Sequence, residues 1–497
     1  MTDDNKKSLT SAVLVGASWA IAMRWSIKIV GLVSSAILAR LLMPEDYGLV
    51  AIAMIAVGLI SVLFEMGVET SLIQRAAPTT AHFNTAWTIR LIQAVIIASG
   101  MLILAPLSAD FYGDVRLPEI VQIVALSVFV KGFENIGIIK FRKDLELDKD
   151  FRFFVINKII GAVLTVLAAL YFRSYYALVF GLLMQSTISV VHSYIASGYR
   201  PRLSLSAFGD VWNFSKWIIV KNFSDFIGKQ GGAIFLSKLA PAPVLGFYRW
   251  GTELSSMSTS EVVFPLLRSL MPGMVKVKED RQRLTDAFLL STGMIATLVV
   301  PLAMGFSGVA AEFIPLFLGG GDKWIAVVPL AQILAFAALS NSFYQVAASM
   351  LIVIGHIRLT AFVSWFRAIL VVLSMYPVFQ LYGVVGIAAA QAMTGLAALF
   401  VIYTVLSVKV EIAPSRLLSA LWRQLLAGAV MAAILLLSFS DSGGTPALIL
   451  ILKIPIGMIC YLGMLYLLWM LSGRPESGEK KVFMLVWSKV SRSSRRR

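Results

Sequence analysis

Arg24 and Lys28 lie inside a long apolar run, and their type and depth call for a chemical role. Four residues apart, they share one helix face, which Gly31 and Ser35 continue as a small, polar stripe. An ionised side chain at bilayer depth is costly and faces a cavity or a partner. No acid stands near these two in the run. Three further cations, Arg90, Lys131 and Arg367, lie within other apolar runs, each about two turns from an end. Lys221, Asp225 and Lys229 follow one another at helical spacing with Asn222 alongside, and Arg249 precedes Glu253 by four. The first set reads equally as a salt-bridge ladder, and the second equally as a structural pair. Arg268, Arg423 and Lys453 stand near run ends, where snorkelling explains them.

The chemistry open to these residues is anion binding rather than bond making. Guanidinium and ammonium groups in a wetted cleft replace part of the water shell of an anionic cargo. Asn222 and Asp225 are candidate ligands for a coupling Na+ or H+. His82, His192 and His356 are far apart and Cys460 is the single cysteine, so neither a metal site nor an internal disulfide is expected. The absence of a Gly-x-x-x-x-Gly-Lys-Ser/Thr loop excludes ATP hydrolysis by a loop of that kind. No catalytic residue is expected, and the chain does not read as an enzyme.

The elements that must position these cations are membrane helices. Of 497 residues, 58% are hydrophobic and 14% charged, against about 25% charged in a soluble chain, and the mean hydropathy is +0.83. Runs long enough to cross a bilayer fall at 11–42, 44–72, 83–108, 117–139, 152–171, 174–197, 211–239, 244–272, 284–305, 326–354, 357–380, 383–407, 415–438 and 446–471. The expected fold is an all-α polytopic membrane protein of about fourteen spans. The first run is too long for a signal-peptide core of ~7–15 residues and retains Arg24 and Lys28.

The net charge of +16 resides in short loops, a pattern of membrane topology rather than nucleic-acid binding. Lys6, Lys7, Arg75, Lys140, Arg142, Lys143, Lys149, Arg200, Arg202, Lys276, Lys278, Arg281, Arg283, Arg358 and Lys409 fall on one side, which places both termini in the cytoplasm. Leu38-Ala-Arg40-Leu41 with Gly48 recurs as Leu236-Ser-Lys238-Leu239 with Gly246, and Tyr176 with Gln185 matches Tyr382 with Gln391. The expected organisation is therefore two six-helix lobes, 1–200 and 201–410, as a parallel pseudo-two-fold repeat. A helix pair over 411–472 and a basic tail over 473–497 follow. That tail joins Val482–Trp487 to Arg492, Arg495, Arg496 and Arg497. It reads first as a solvated positive-inside segment and second as an interfacial helix on anionic lipid.

Leu38-Ala-Arg-Leu-Leu-Met-Pro-Glu-Asp-Tyr-Gly48 resembles the first hairpin of the polysaccharide-transport branch of the multidrug/oligosaccharidyl-lipid/polysaccharide flippase superfamily. Phe64-Glu-Met-Gly67 with Leu72-Ile-Gln-Arg75 resembles the end of that family's second helix, and Arg200-Pro-Arg-Leu203 the turn after its sixth. The resemblance implies a bacterial inner-membrane flippase that moves undecaprenyl-pyrophosphate-linked oligosaccharide outward by alternating access. Such transport serves lipopolysaccharide O-antigen, capsule or exopolysaccharide assembly, with membrane lipids and glycan polymerase or export proteins as partners. Gln230-Gly-Gly232 stands where many relatives place an acid, which departs from simple ion coupling. The rival readings are a cation-coupled drug antiporter of the same superfamily, which favours acidic intramembrane residues, and a membrane glycan polymerase or ligase.

Overall fold

The computed structural model describes residues 3–64, 72, 78–144, 146–319, 321–437, 445–475 and 478–481. For 3–18, 20–21, 63–64, 210–219, 221, 268–269, 272–273 and 276 only the helical backbone is described. The side chains of Lys221 and Arg268, most of the stretch from Phe64 to Arg75, and the tail beyond 481 therefore lie outside the described residues.

Helix α1 (Asp3–Leu41) stops before Met43, and α2 (Pro44–Phe64) starts on Pro44, with Glu45 and Asp46 in its first turn. Proline costs nothing at that position, and the acids suit the positive helix end. Asp46 also ties the turn together, because its carboxylate accepts from Met43 N at 2.8 Å and from Tyr175 N at 2.8 Å. Helix α3 (Thr80–Tyr112) ends on Gly113 at φ +73°, a left-handed cap that glycine adopts without cost. In the turn that follows, Arg116 forks onto Asp114 (2.9 and 2.7 Å) and reaches Glu45 at 2.5 Å. This holds the Asp114 carboxyl below the usual carboxylate range.

The run expected as one span over 117–139 is broken. Helix α4 (Leu117–Gly132) is followed by a 3-10 turn (Ile136–Ile138) and the short α5 (Ile139–Lys143), bent by 61°. Asn135 makes the corner: its backbone N donates to Ser193 Oγ (2.9 Å), its side chain accepts from Gly137 N (2.9 Å), and its amide donates to Tyr199 O (2.6 Å). The remaining helices are α6 (Leu147–Phe172), α7 (Tyr176–Ala196), α8 (Phe208–Leu239), α9 (Ala242–Lys276), α10 (Arg281–Leu318), α11 (Val327–Val353), α12 (Ile357–Val410), α13 (Pro414–Leu437) and α14 (Pro446–Leu471). The two spans expected over 357–380 and 383–407 form one 54-residue element with a break at Gly383 (φ +59°, ψ −146°).

Among the described residues, ten helices are long and apolar enough to cross a membrane, or eleven if the bent pair counts as one span. Helices α8 and α9, although long, are not among these ten. Large apolar side chains such as Ile103, Leu373, Ile451 and Ile459 are 66–72% exposed, as lipid-facing positions are. The protein is an all-helical membrane protein.

Two compact units are present, residues 1–226 with 236–246, and residues 227–235 with 247–497. In the first, α3 packs on α4, α6 on α7, α1 on α6, and α4 on α7. In the second, α10 is central, in contact with α11, α13 and α14, while α11 packs on α12. Its core gathers Phe288, Ile295, Val299, Phe343, Met350, Ile402 and Tyr461. Two cations expected to snorkel are instead buried here as ion pairs. Arg423 meets the fully buried Glu479 at 2.6 Å, and Lys453 meets Glu312 at 2.7 Å and Gly308 O at 3.2 Å. A partner supplied by another segment removes the need to reach the bilayer surface.

Candidate functional site

Arg90 on α3 and Lys131 on α4 come together, and the acid that joins them is Glu134, three residues past Lys131. Glu134 is 3% exposed and accepts from Arg90, from Lys131 and from Ser189 of α7. Lys131 also donates to Ser189 Oγ at 2.8 Å. The break after Gly132 turns Glu134 inward, so the corner of the chain and the charge cluster have one cause. Two cations share one acid.

Two pockets flank Lys131. One, of about 320 Å3, is lined by Arg90, Gln93, Ser127, Lys131 and Ser186 among apolar residues of α2, α3, α4 and α7. The other, of about 390 Å3, is lined by Lys131, Asn157, Lys158, Gln185, Ser186 and Ser189, with Ile27, Phe154 and Leu182 as apolar wall. Arg90, Lys131 and Lys158 line these volumes, and among the described residues no carboxylate lines either. Cationic pockets walled by hydroxyls and amides accept anions that carry further polar groups.

Arg24 and Lys28 are half-buried on α1. The apolar stripe Trp25, Ile29, Val33 and Ile37 is 40–56% exposed. At 100° per residue it lies roughly 140° around the helix from the Arg24–Lys28 face. Gly31, on the cationic face, packs against α6, with its would-be Cβ 3.7 Å from Lys158 Cε. The cations thus turn away from the stripe that suits acyl chains and toward the side that carries Lys158.

Arg367 is 7% exposed in the second unit, with Nη1 donating to Asn341 Oδ1 at 3.3 Å. Its stem lies 3.5 Å from a would-be Cβ on Gly228, whose carbonyl accepts from Gln391 at 2.8 Å. Asn222 and Asp225 are half-buried on α8, and Arg249 is exposed on α9.

Glu134, Asn157, Lys158 and Ser189 are pocket or cluster residues that the sequence reading did not single out, and Gln185 entered it only as a repeat position. Glu134 had a signal: an acid inside a run read as one span must have a partner. The others sit on α6 and α7 with no local pattern to mark them.

The chain matches the profile of a family described as polysaccharide biosynthesis protein over residues 37–329. It is similar to the lipopolysaccharide biosynthesis protein WzxC of Escherichia coli K12, at 22% identity over 82% of each chain. It is also similar to the succinoglycan biosynthesis transport protein ExoT of Rhizobium meliloti, at 23% over 67% of each. The fold is that of the lipid II flippase MurJ in its inward closed conformation, with a TM-score of 0.71 and 13% identity over 91% of this chain and 99% of that one. A multidrug resistance MATE family transporter of the MOP superfamily, in its inward-facing conformation, matches at TM-score 0.57 and 14% identity over 84% and 96%. A membrane helical fold shared with flippases and a family match over more than half of the sequence agree: the chain belongs to the polysaccharide biosynthesis protein family.

Proposed function

We propose that this protein is a flippase that carries a polyprenyl-pyrophosphate-linked oligosaccharide from the cytoplasmic to the periplasmic leaflet of the bacterial inner membrane. The observation that carries this reading is the pair of pockets around Lys131, lined by Arg90, Lys131 and Lys158 with no carboxylate among the described lining residues. A diphosphate cannot cross hydrocarbon bare, and these groups substitute for its water. A cation-coupled drug antiporter would instead need acids facing its pocket. Arg24 and Lys28 on α1, and Arg249, Arg367 and Lys221 by their sequence positions, are further candidate cations for the cargo. Asn222 and Asp225 remain the candidate ligands for a coupling ion. In this reading both termini are cytoplasmic.

The sequence repeat gains support within the first unit. Gly48, at the start of α2, lies so close to α9 that a Cβ there would be 1.8 Å from Ala242 O. A Cβ on Gly246 would be 2.1 Å from Pro44 O. The same pair of positions in each copy meets the other reciprocally, the signature of a two-fold contact.

The test is deletion in the native host followed by lipid extraction. Lipid-linked glycan should accumulate on the inner leaflet, and complementation with Arg24→Ala or Lys28→Ala should fail although both variants insert. Normal surface glycan in the deletion strain, or full complementation by both variants, refutes the proposal. Restored efflux of cationic dyes would favour the antiporter instead.

A further inference from the structure

We propose that the pocket between α1, α4, α6 and α7 is a subsite for the carboxylate of an acidic sugar, with Asn157 and Lys158 as its specificity-determining residues. The inference rests on the reading of the cargo as a lipid-linked glycan and names one chemical feature of that glycan.

The pocket is rich in donors. Lys131 and Lys158 carry ammonium groups, which can only donate. Asn157 is 6% exposed and lines the pocket, and its Nδ2 is buried without a hydrogen-bond partner. A buried donor left unmade costs free energy comparable to a lost hydrogen bond, so an acceptor supplied by a ligand would be held strongly there. With His192 in its Nδ1–H tautomer, the Asn157 amide is held with its N–H toward the pocket. Its Oδ1 is engaged by His192 Nδ1 at 2.7 Å, and the imidazole is itself packed on Phe153 with ring centroids 4.9 Å apart. His192 is a positioning residue that presents the Asn157 N–H.

A ligand for such a pocket is an acceptor with negative charge, either a carboxylate or a phosphate. The rest of the wall favours a sugar acid. Gln185, Ser186 and Ser189 offer groups that both donate and accept, as ring hydroxyls require, while Phe154 and Leu182 provide an apolar side for the C–H face of a pyranose. Gly161 makes room for this arrangement, since a Cβ there would stand 3.2 Å from Gln185 Cγ. The volume of about 390 Å3 lies at the low end of small-ligand sites (roughly 300–1,000 Å3).

The experiment uses purified full-length protein in lipid nanodiscs and follows thermal unfolding with sodium glucuronate, glucose and inorganic pyrophosphate at matched ionic strength. Glucuronate should stabilise the protein at concentrations where glucose does not. Lys158→Gln and Asn157→Asp should each weaken its apparent affinity about tenfold or more. If one variant fails to fold, the other and the wild-type contrast between glucuronate and glucose decide. Equal effects of glucuronate and glucose, or an unchanged glucuronate response in both variants, overturn the subsite. Stabilisation by pyrophosphate alone, lost in the same variants, overturns it in favour of a diphosphate site and leaves the flippase reading standing. Failure of that reading would appear separately, as normal glycan export in the deletion strain.

Discussion

Replacing Gly48 with alanine tests the close crossing of α2 and α9. A Cβ at this position would lie 1.8 Å from Ala242 O and 2.5 Å from its carbonyl carbon, both backbone atoms that cannot rotate aside. Reaching even 3.0 Å requires the two helix starts to separate by about 1.2 Å. At Gly246 the obstruction is Pro44 O at 2.1 Å, so the separation required there is about 0.9 Å. Overpacking costs roughly 1–3 kcal/mol where neighbours can adjust, and backbone against backbone belongs at the upper end. One movement relieves both clashes, so the costs should not add. Gly48→Ala and Gly246→Ala should each destabilise by about 2–3 kcal/mol, and the double variant by about 1 kcal/mol or more less than the sum. Denaturant unfolding of the purified protein gives the three differences, with glycan export followed in parallel. Two neutral single variants, or strict additivity, would refute the shared crossing.

Other perturbations test the charge clusters and the topology. Glu134→Ala leaves Arg90 and Lys131 without their common acid and should cost about 3–5 kcal/mol; an unfolding midpoint within error of wild type would contradict its central place. Arg423→Met should destabilise by a similar amount, because it takes the guanidinium from the fully buried Glu479, whereas Arg423→Met combined with Glu479→Leu should recover most of the loss in the same assay. The Asp114 carboxyl is held low by Arg116, so its contribution is fully present above the ordinary aspartate pKa and is lost as pH falls through the depressed folded value. Asp114→Asn should flatten that acid limb in a midpoint-against-pH series, and high salt should shrink the effect because the site is only partly buried. A cysteine placed at Thr80 should resist membrane-impermeant thiol reagents added outside intact cells, and external labelling would invert the proposed orientation.

The amino-acid sequence by itself determined the helical, lipid-facing character of the chain, because hydropathy and length are sums over local residues. It determined the hairpin at Pro44, where fixed φ and two acids state helix polarity locally. It also located Arg24, Lys28, Arg90 and Lys131 as cations at costly depth. Only tertiary structure decided what those cations face. Glu134 becomes the partner of Arg90 and Lys131 because the helix breaks after Gly132 and turns it inward, and an unbroken span would have pointed it elsewhere. Arg423 and Lys453 stay buried because Glu479 and Glu312 arrive from distant segments, 56 and 141 residues away along the chain. Asn157, Lys158 and Gln185 form one pocket because α6 packs on both α1 and α7. Charge and hydropathy are written residue by residue, whereas pairing depends on which remote segment closes each cavity.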